Sequence, residues 1–185
     1  MLTKLREKIK PVMDTIAAGS AKLIPSPTGW TFIGFLLSIL AAYLYSSHFA
    51  IPAGASVLLS GFMDMLDGAV ARKLGKVTAR GGFLDSNLDR AGEAAIYLGL
   101  ILSNDIIALY AATAMALSLL VSYARSRAEA SGLKAEGVGY GERAERLIIL
   151  AVASFVGFLN YGIILIIILA GITFVQRLYV YGSKL

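Results

Sequence analysis

Four aspartates stand in the stretch DMLDGAVARKLGKVTARGGFLDSNLDR, residues 64–90, at Asp64, Asp67, Asp85 and Asp89. Asp64 and Asp67 are three apart and Asp85 and Asp89 four apart, so on helices each pair shares a face. The intervening KLGKVTARGG is short and glycine-containing, and lets two helix ends meet so that four carboxylates converge. Singly, each acid could cap a helix or pair with Arg72, Arg80 or Arg90. Four at matched helical spacing point instead to hard divalent cations with oxygen ligands, Mg²⁺ or Mn²⁺. Gly68 and Ala71 are small enough for helix packing or for close approach of a ligand to the backbone. Gly81 and Gly82 leave room beside the second acid pair, and Arg72 is placed to meet a phosphate. Cations, small residues and an arginine together read as a pyrophosphate site.

The elements that must position these acids are apolar. The chain has 185 residues, 57% of them hydrophobic, and a mean hydropathy of +0.73. That exceeds the apolar share of a soluble domain. The expected fold is an all-α integral membrane protein with six transmembrane helices behind an amphipathic interfacial helix. The spans are drawn near 29–47, 49–74, 83–102, 106–130, 147–160 and 161–182, the last two joined by a short turn around Asn160 to Gly162. An ionised aspartate at a bilayer centre costs roughly 2.5–3.5 kcal/mol on insertion scales and less near the interface. The acids belong, on this reading, at the cytoplasmic ends of spans two and three.

Residues 1–25 form the expected juxtamembrane segment and residues 26–185 the transmembrane domain. In the first segment Leu2, Leu5, Ile9, Met13 and Ile16 recur at helical spacing, with Lys4, Lys8 and Lys10 elsewhere on the wheel and a bend expected near Pro11. It lacks the layout of a signal peptide. The loops after spans one, three and five carry no Lys or Arg. The basic residues gather in the N-terminal segment (Lys4, Arg6, Lys8, Lys10, Lys22), after span two (Arg72, Lys73, Lys76, Arg80), after span four (Arg125, Arg127, Lys134, Arg143, Arg146) and at the end (Arg177, Lys184). The positive-inside rule then places both termini and the acids in the cytoplasm of what is expected to be a prokaryotic cell. Trp30, Tyr43, Tyr45, Tyr179 and Tyr181 are expected as interfacial anchors. The absence of cysteine excludes disulfides, thiol chemistry and Cys-ligated metals.

Asp64, Asp67, Gly68, Ala71, Arg72, Gly81, Asp85 and Asp89 fill the pattern D-x-x-D-G-x-x-A-R-x8-G-x3-D-x3-D. This resembles the signature of the CDP-alcohol phosphotransferase family, and the six-span layout extends the likeness over almost the whole chain. The resemblance implies transfer of a phosphatidyl-type group from a CDP-linked lipid, CDP-diacylglycerol or CDP-archaeol, to an alcohol, with release of CMP. It implies two Mg²⁺ or Mn²⁺ ions held by Asp64, Asp67 and Asp85. Asp89 is implied as general base with a further metal contact. A nucleotide pocket is implied at Gly68, Ala71, Arg72, Gly81 and Thr31, although the Asn common near Thr31 in the family is Gly29 here. The implied partners are the donor lipid, the acceptor, the bilayer and a second copy of the chain in a homodimer, with no nucleic acid.

A second basic cluster bears on the alcohol. Arg125, Arg127, Arg143, Arg146 and Arg177 crowd one cytoplasmic region, in SYARSRAE, GERAER and VQRLY. Ordinary positive-inside charge explains arginines there singly. As a cluster they suggest an acceptor that carries its own phosphate. SYARSRAE with GERAERLIIL is similar to the inositol-phosphate branch of the family. By that resemblance Ser122, Arg125, Arg127, Arg143 and Arg177 contact the acceptor, while Arg146 is structural and pairs with Glu142. The alternatives are a glycerol 3-phosphate acceptor, an ion channel or transporter, and a non-catalytic scaffold. A channel would spread its acids through the bilayer's depth, and a degenerate scaffold would have lost an aspartate.

Overall fold

The computed structural model describes residues 2–133, 135 and 137–185, with side chains from Pro11 onward. Its regular structure is helical throughout, in seven helices: α1 (Leu2–Leu23), α2 (Pro27–Ser46), α3 (Ala50–Lys73), α4 (Ala79–Ser103), α5 (Ala108–Ala130), α6 (Arg143–Val156) and α7 (Leu159–Gly182). Local chemistry sets several of these ends. Ser26 caps α2 by accepting from the Gly29 N–H, with Pro27 as the first helical residue. Thr78 caps α4 in the same way, accepting from the Gly81 N–H at 3.0 Å. Glu142 and Glu145 form a reciprocal capping box at the start of α6.

Four helices, α2, α3, α5 and α7, are long and apolar enough to cross a membrane. The other two expected spans fall short for different reasons. Helix α4 has the length but carries Arg80, Asp85, Asp89, Arg90 and Glu93. Helix α6 has 14 residues, a reach of about 21 Å against a hydrocarbon core of about 30 Å. The turn expected at Asn160 to Gly162 lies earlier in the chain. Gly157, at φ 75°, ends α6 in the left-handed conformation, and the Phe158 N–H bonds back to the Ala153 carbonyl at 2.9 Å. Asn160, Tyr161 and Gly162 are already inside α7.

The main core joins all six helices after α1, from Ala41 and Tyr45 through Val57, Ile96, Leu100 and Leu150 to Ile163 and Ile166. Helix α1 docks on α3 instead, with Met13 and Ala17 against Leu66, Ala69 and Val70. The expectations for Leu2, Leu5, Ile9 and the early basic residues concern side chains outside those described, and Lys134 lies outside the described residues. Two expected interfacial anchors turn inward. Tyr45 is buried with its hydroxyl 2.6 Å from Ser154 Oγ, and Tyr181 is buried and donates to the Ala135 carbonyl. A tyrosine whose hydroxyl finds a buried partner fills a core as readily as an interface.

The packing that matters most to the acids is α4 against α2. Gly92 and Gly99, two turns apart, face α2 so closely that a Cβ on Gly99 would lie 2.3 Å from the Ala42 carbonyl oxygen, and one on Gly92 2.8 Å from Ser38 Oγ. Small residues are what permit this approach. Gly99→Ala is therefore expected to push α4 off α2 and destabilise the fold by about 1–3 kcal/mol, as other overpacking changes do. Thermal melting in detergent checks this, with an unchanged melting temperature as the contrary result.

Candidate active site

Asp64 and Asp67 lie in the last part of α3, and Asp85 and Asp89 in the first half of α4, so the KLGKVTARGG turn brings the two acid pairs face to face. One carboxylate oxygen from each of Asp64, Asp67 and Asp85 falls within 4.8 Å of the other two. Asp67 is the most buried of the three, and Thr31 Oγ1 on α2 donates to its Oδ2 at 2.6 Å. Asp85 Oδ1 is buried with no hydrogen-bond partner. A buried carboxylate oxygen without a partner is costly unless a cation or donor meets it. Three clustered carboxylate oxygens, all hard donors, beside an unpartnered buried oxygen on Asp85, fit a divalent cation of the Mg²⁺ or Mn²⁺ type.

Asp89 stands apart from that trio. Its Oδ1 forms an ion pair at 3.0 Å with Arg143 Nη1, at the start of α6. The same nitrogen donates to Asp64 Oδ2, also at 3.0 Å. One guanidinium thus bridges the first acid pair and the second. Arg143 Nε is buried without a partner. Four carboxylates against one contacting arginine leave the centre strongly acidic, which is the electrostatic demand a divalent ion meets.

A cavity of about 730 Å³ opens onto the same acids, between the start of α2, the end of α3 and the start of α4. Thr31, Gly68, Ala71, Arg72 and Gly81, the residues expected to contact a nucleotide, all line it, with Asp67 and Asp85 at its acidic end. Its volume is within the range of small-molecule sites. Lys76 crosses one wall, donating to the Pro25 carbonyl at 2.9 Å. Gly81 sits close under the cap of α4, where a Cβ would lie 3.1 Å from the Thr78 hydroxyl. Thr31→Val would remove the donor on Asp67 while keeping the shape. Partners that orient a ligating carboxylate are worth about 10–100-fold in metal affinity, so weaker Mn²⁺ binding is expected. Mn²⁺ titration followed by electron paramagnetic resonance checks it, and unchanged affinity would be the contrary result.

Of the five side chains expected at an acceptor, only Arg143 reaches the aspartates. Ser122 donates to the Ser118 carbonyl of its own helix, Arg125 pairs with Glu129, and Arg127 is exposed. Arg177 is 2% exposed, and its nitrogens donate to the carbonyls of Val121 and Val138 and to Glu142 Oε1. The pairing expected between Arg146 and Glu142 is not formed. Glu142 is engaged with Arg177 and the α6 cap, and Arg146 pairs with Glu93 of α4. Glu93 is the site neighbour that the sequence reading missed. Its signal was present, as a lone acid four residues beyond Asp89 in an otherwise apolar run.

The sequence profile of the CDP-alcohol phosphatidyltransferases matches residues 26–176. The chain belongs to this family of transferases. The archaetidylinositol phosphate synthase of Pyrococcus horikoshii is 41% identical over 181 residues, covering 97% of this chain and 95% of that protein. The crystal structure of the Mycobacterium tuberculosis phosphatidylinositol phosphate synthase with CDP-DAG bound superposes with a TM-score of 0.82 at 30% identity, covering 92% of this chain and 94% of that one. The same mycobacterial enzyme in complex with manganese and citrate gives a TM-score of 0.81 at 31% identity, covering 92% of this chain and 89% of that one. Of the eight residues that fill the aspartate pattern, seven line the cavity or belong to the acidic trio, and the eighth, Asp89, is joined to Asp64 through Arg143.

Proposed function

We propose that this CDP-alcohol phosphatidyltransferase moves a phosphatidyl-type group, carrying diacylglycerol or archaeol, from a CDP-linked lipid to a hydroxyl of inositol phosphate, releasing CMP. The observation that carries the reading is the junction of three things at one point: the acidic trio, the 730 Å³ cavity and Arg143. The relatives named above act on this chemistry, and the mycobacterial enzyme was crystallised with CDP-DAG and with manganese.

On this reading Gly68, Ala71, Arg72, Gly81 and Thr31 receive the nucleotide, with Arg72 toward its phosphates. Asp64, Asp67 and Asp85 hold two Mg²⁺ or Mn²⁺ ions, and Asp89 contributes a further contact. Divalent ions there neutralise charge on the donor's pyrophosphate and on departing CMP. The protein's own part is to place the acceptor and remove its proton. The acceptor's phosphate pairs with Arg143, whose guanidinium already lies beside Asp89. The acceptor hydroxyl then meets Asp89, which takes its proton as the oxygen attacks the lipid-bearing phosphorus. The bond from that phosphorus to the CMP oxygen breaks, and CMP leaves with the electron pair. Ser122, Arg125, Arg127 and Arg177 complete the acceptor side, Arg177 by exchanging partners.

The same proposal extends to placement. Helices α2 to α7 form six spans as residues 26–185, with α1 on the cytoplasmic membrane surface within residues 1–25. Support for α4 as a span comes from its apolar second half, since its charges all precede Ala94. The basic residues put both termini and the site on the cytoplasmic side, and the enzyme works as a homodimer. CMP release by purified protein tests the function, with a CDP-lipid and Mg²⁺ and with inositol 1-phosphate, glycerol 3-phosphate, free inositol and serine offered in parallel. Release that depends on inositol phosphate is expected. Release with glycerol 3-phosphate alone would keep the reaction and overturn the acceptor.

A further inference from the structure

The buried pair Glu93–Arg146 is used by none of the chemistry above, yet it lies one helical turn beneath it. Arg146 Nε and Nη2 meet Glu93 Oε1 and Oε2 at 2.7 Å each, a two-pronged pair with both side chains at most 2% exposed. The third nitrogen, Nη1, donates to the Gly141 carbonyl in the segment that leads into α6. A buried ion pair is weak as a stabiliser, because apolar residues of similar volume hold a core as well or better. Its presence here therefore points to another role.

The reason is legible in the spacing. Glu93 is four residues after Asp89 on α4, and Arg146 is three after Arg143 on α6, so the two ion pairs stack along the same helix faces. Helix α4 packs broadly on α2 and α5, and α6 on α3 and α7, with no broad backbone contact between α4 and α6. Side chains carry that connection: Glu93–Arg146 inside and Asp89–Arg143 at the site. The outer pair must open to admit an acceptor phosphate, and the inner pair has no reason to. We infer that Glu93 and Arg146 are positioning residues that fix α6 against α4, aim Arg143 at Asp89, and so set the affinity for a phosphorylated acceptor without touching it. The inference rests on the proposed acceptor chemistry.

The test is the double substitution Glu93→Met with Arg146→Met, which removes both charges and keeps the volume, beside the single change Arg146→Lys, which keeps the charge and loses the fork. Initial rates of CMP release are measured against donor and against inositol 1-phosphate, with thermal melting in parallel. The expected result is a melting temperature near the wild type, an acceptor KM raised about tenfold or more by misplacement of Arg143, and an unchanged donor KM. The donor KM holds because the cavity lies on α2, α3 and α4. Arg146→Lys should fall between the two and keeps the test open if the double variant does not fold. Equal rises in both KM values, no change in either, or a fall in kcat alone would overturn the inference. Wild-type protein run alongside separates the two readings: no acceptor-dependent CMP release from it would count against the proposed function itself.

Discussion

Asp89→Asn should abolish most CMP release while the protein folds as before. The amide keeps the shape of the carboxylate but cannot take a proton, and loss of a positioned general base costs about 10²- to 10⁴-fold in rate. Stability has little reason to fall. Asp89 is one of four crowded carboxylates, so removing its charge relieves repulsion, and Arg143 keeps its bond to Asp64. Mn²⁺ affinity should fall far less than kcat, since Asp89 adds only a further contact and the trio of Asp64, Asp67 and Asp85 is intact. The measurement is kcat by single-time-course CMP release, with melting temperature and Mn²⁺ binding on the same preparation. Unchanged kcat would remove Asp89 from the role of base. Equal loss of kcat and of Mn²⁺ binding would make it a metal ligand instead.

The sequence carried the acidic centre almost whole, for a physical reason. Residues that share one face of one helix, such as Asp64 with Asp67, are fixed by backbone period alone, and the short KLGKVTARGG turn keeps the end of α3 near the start of α4 while both helices pack on α2. Thr31 is 36 residues from Asp67 in sequence. It could be named only by resemblance, because the contact depends on how α2 packs. The arginines were less legible for a related reason. Positive charge near a helix end looks alike in sequence whether it meets a ligand, a lipid or a buried acid. Arg143 reaches the acids, Arg146 finds Glu93 across the bundle, and Arg177 is taken up by two carbonyls and Glu142. Partner choice there is decided by tertiary packing. Four of the expected spans, those of α2, α3, α5 and α7, were legible as apolar runs, whereas the end of α6 turned on the left-handed Gly157, between the apolar Val156 and Phe158.

Arg143→Ala should change which acceptor the enzyme prefers. Arg143 is the one arginine of the cluster in contact with the aspartates, so it is the one that can hold an acceptor's phosphate while Asp89 meets its hydroxyl. A hydrogen bond to a charged group contributes about 1.5–3 kcal/mol, and each 1.4 kcal/mol is about tenfold in affinity. The KM for inositol 1-phosphate should therefore rise by about ten- to a hundredfold. Donor KM should hold, because the cavity lining does not include this residue. Two further effects distinguish a phosphate ligand from a structural brace. Turnover with free inositol has no phosphate to lose, so the preference for inositol phosphate over inositol should narrow by the same factor. Mn²⁺ should bind more tightly, because a positive charge 3.0 Å from Asp64 has been removed from among the carboxylates. Parallel KM measurements with the two acceptors, and a Mn²⁺ titration, decide it. If both acceptors suffer alike and Mn²⁺ binding is unmoved, Arg143 braces α6 against α3 and α4, and the phosphate is recognised elsewhere.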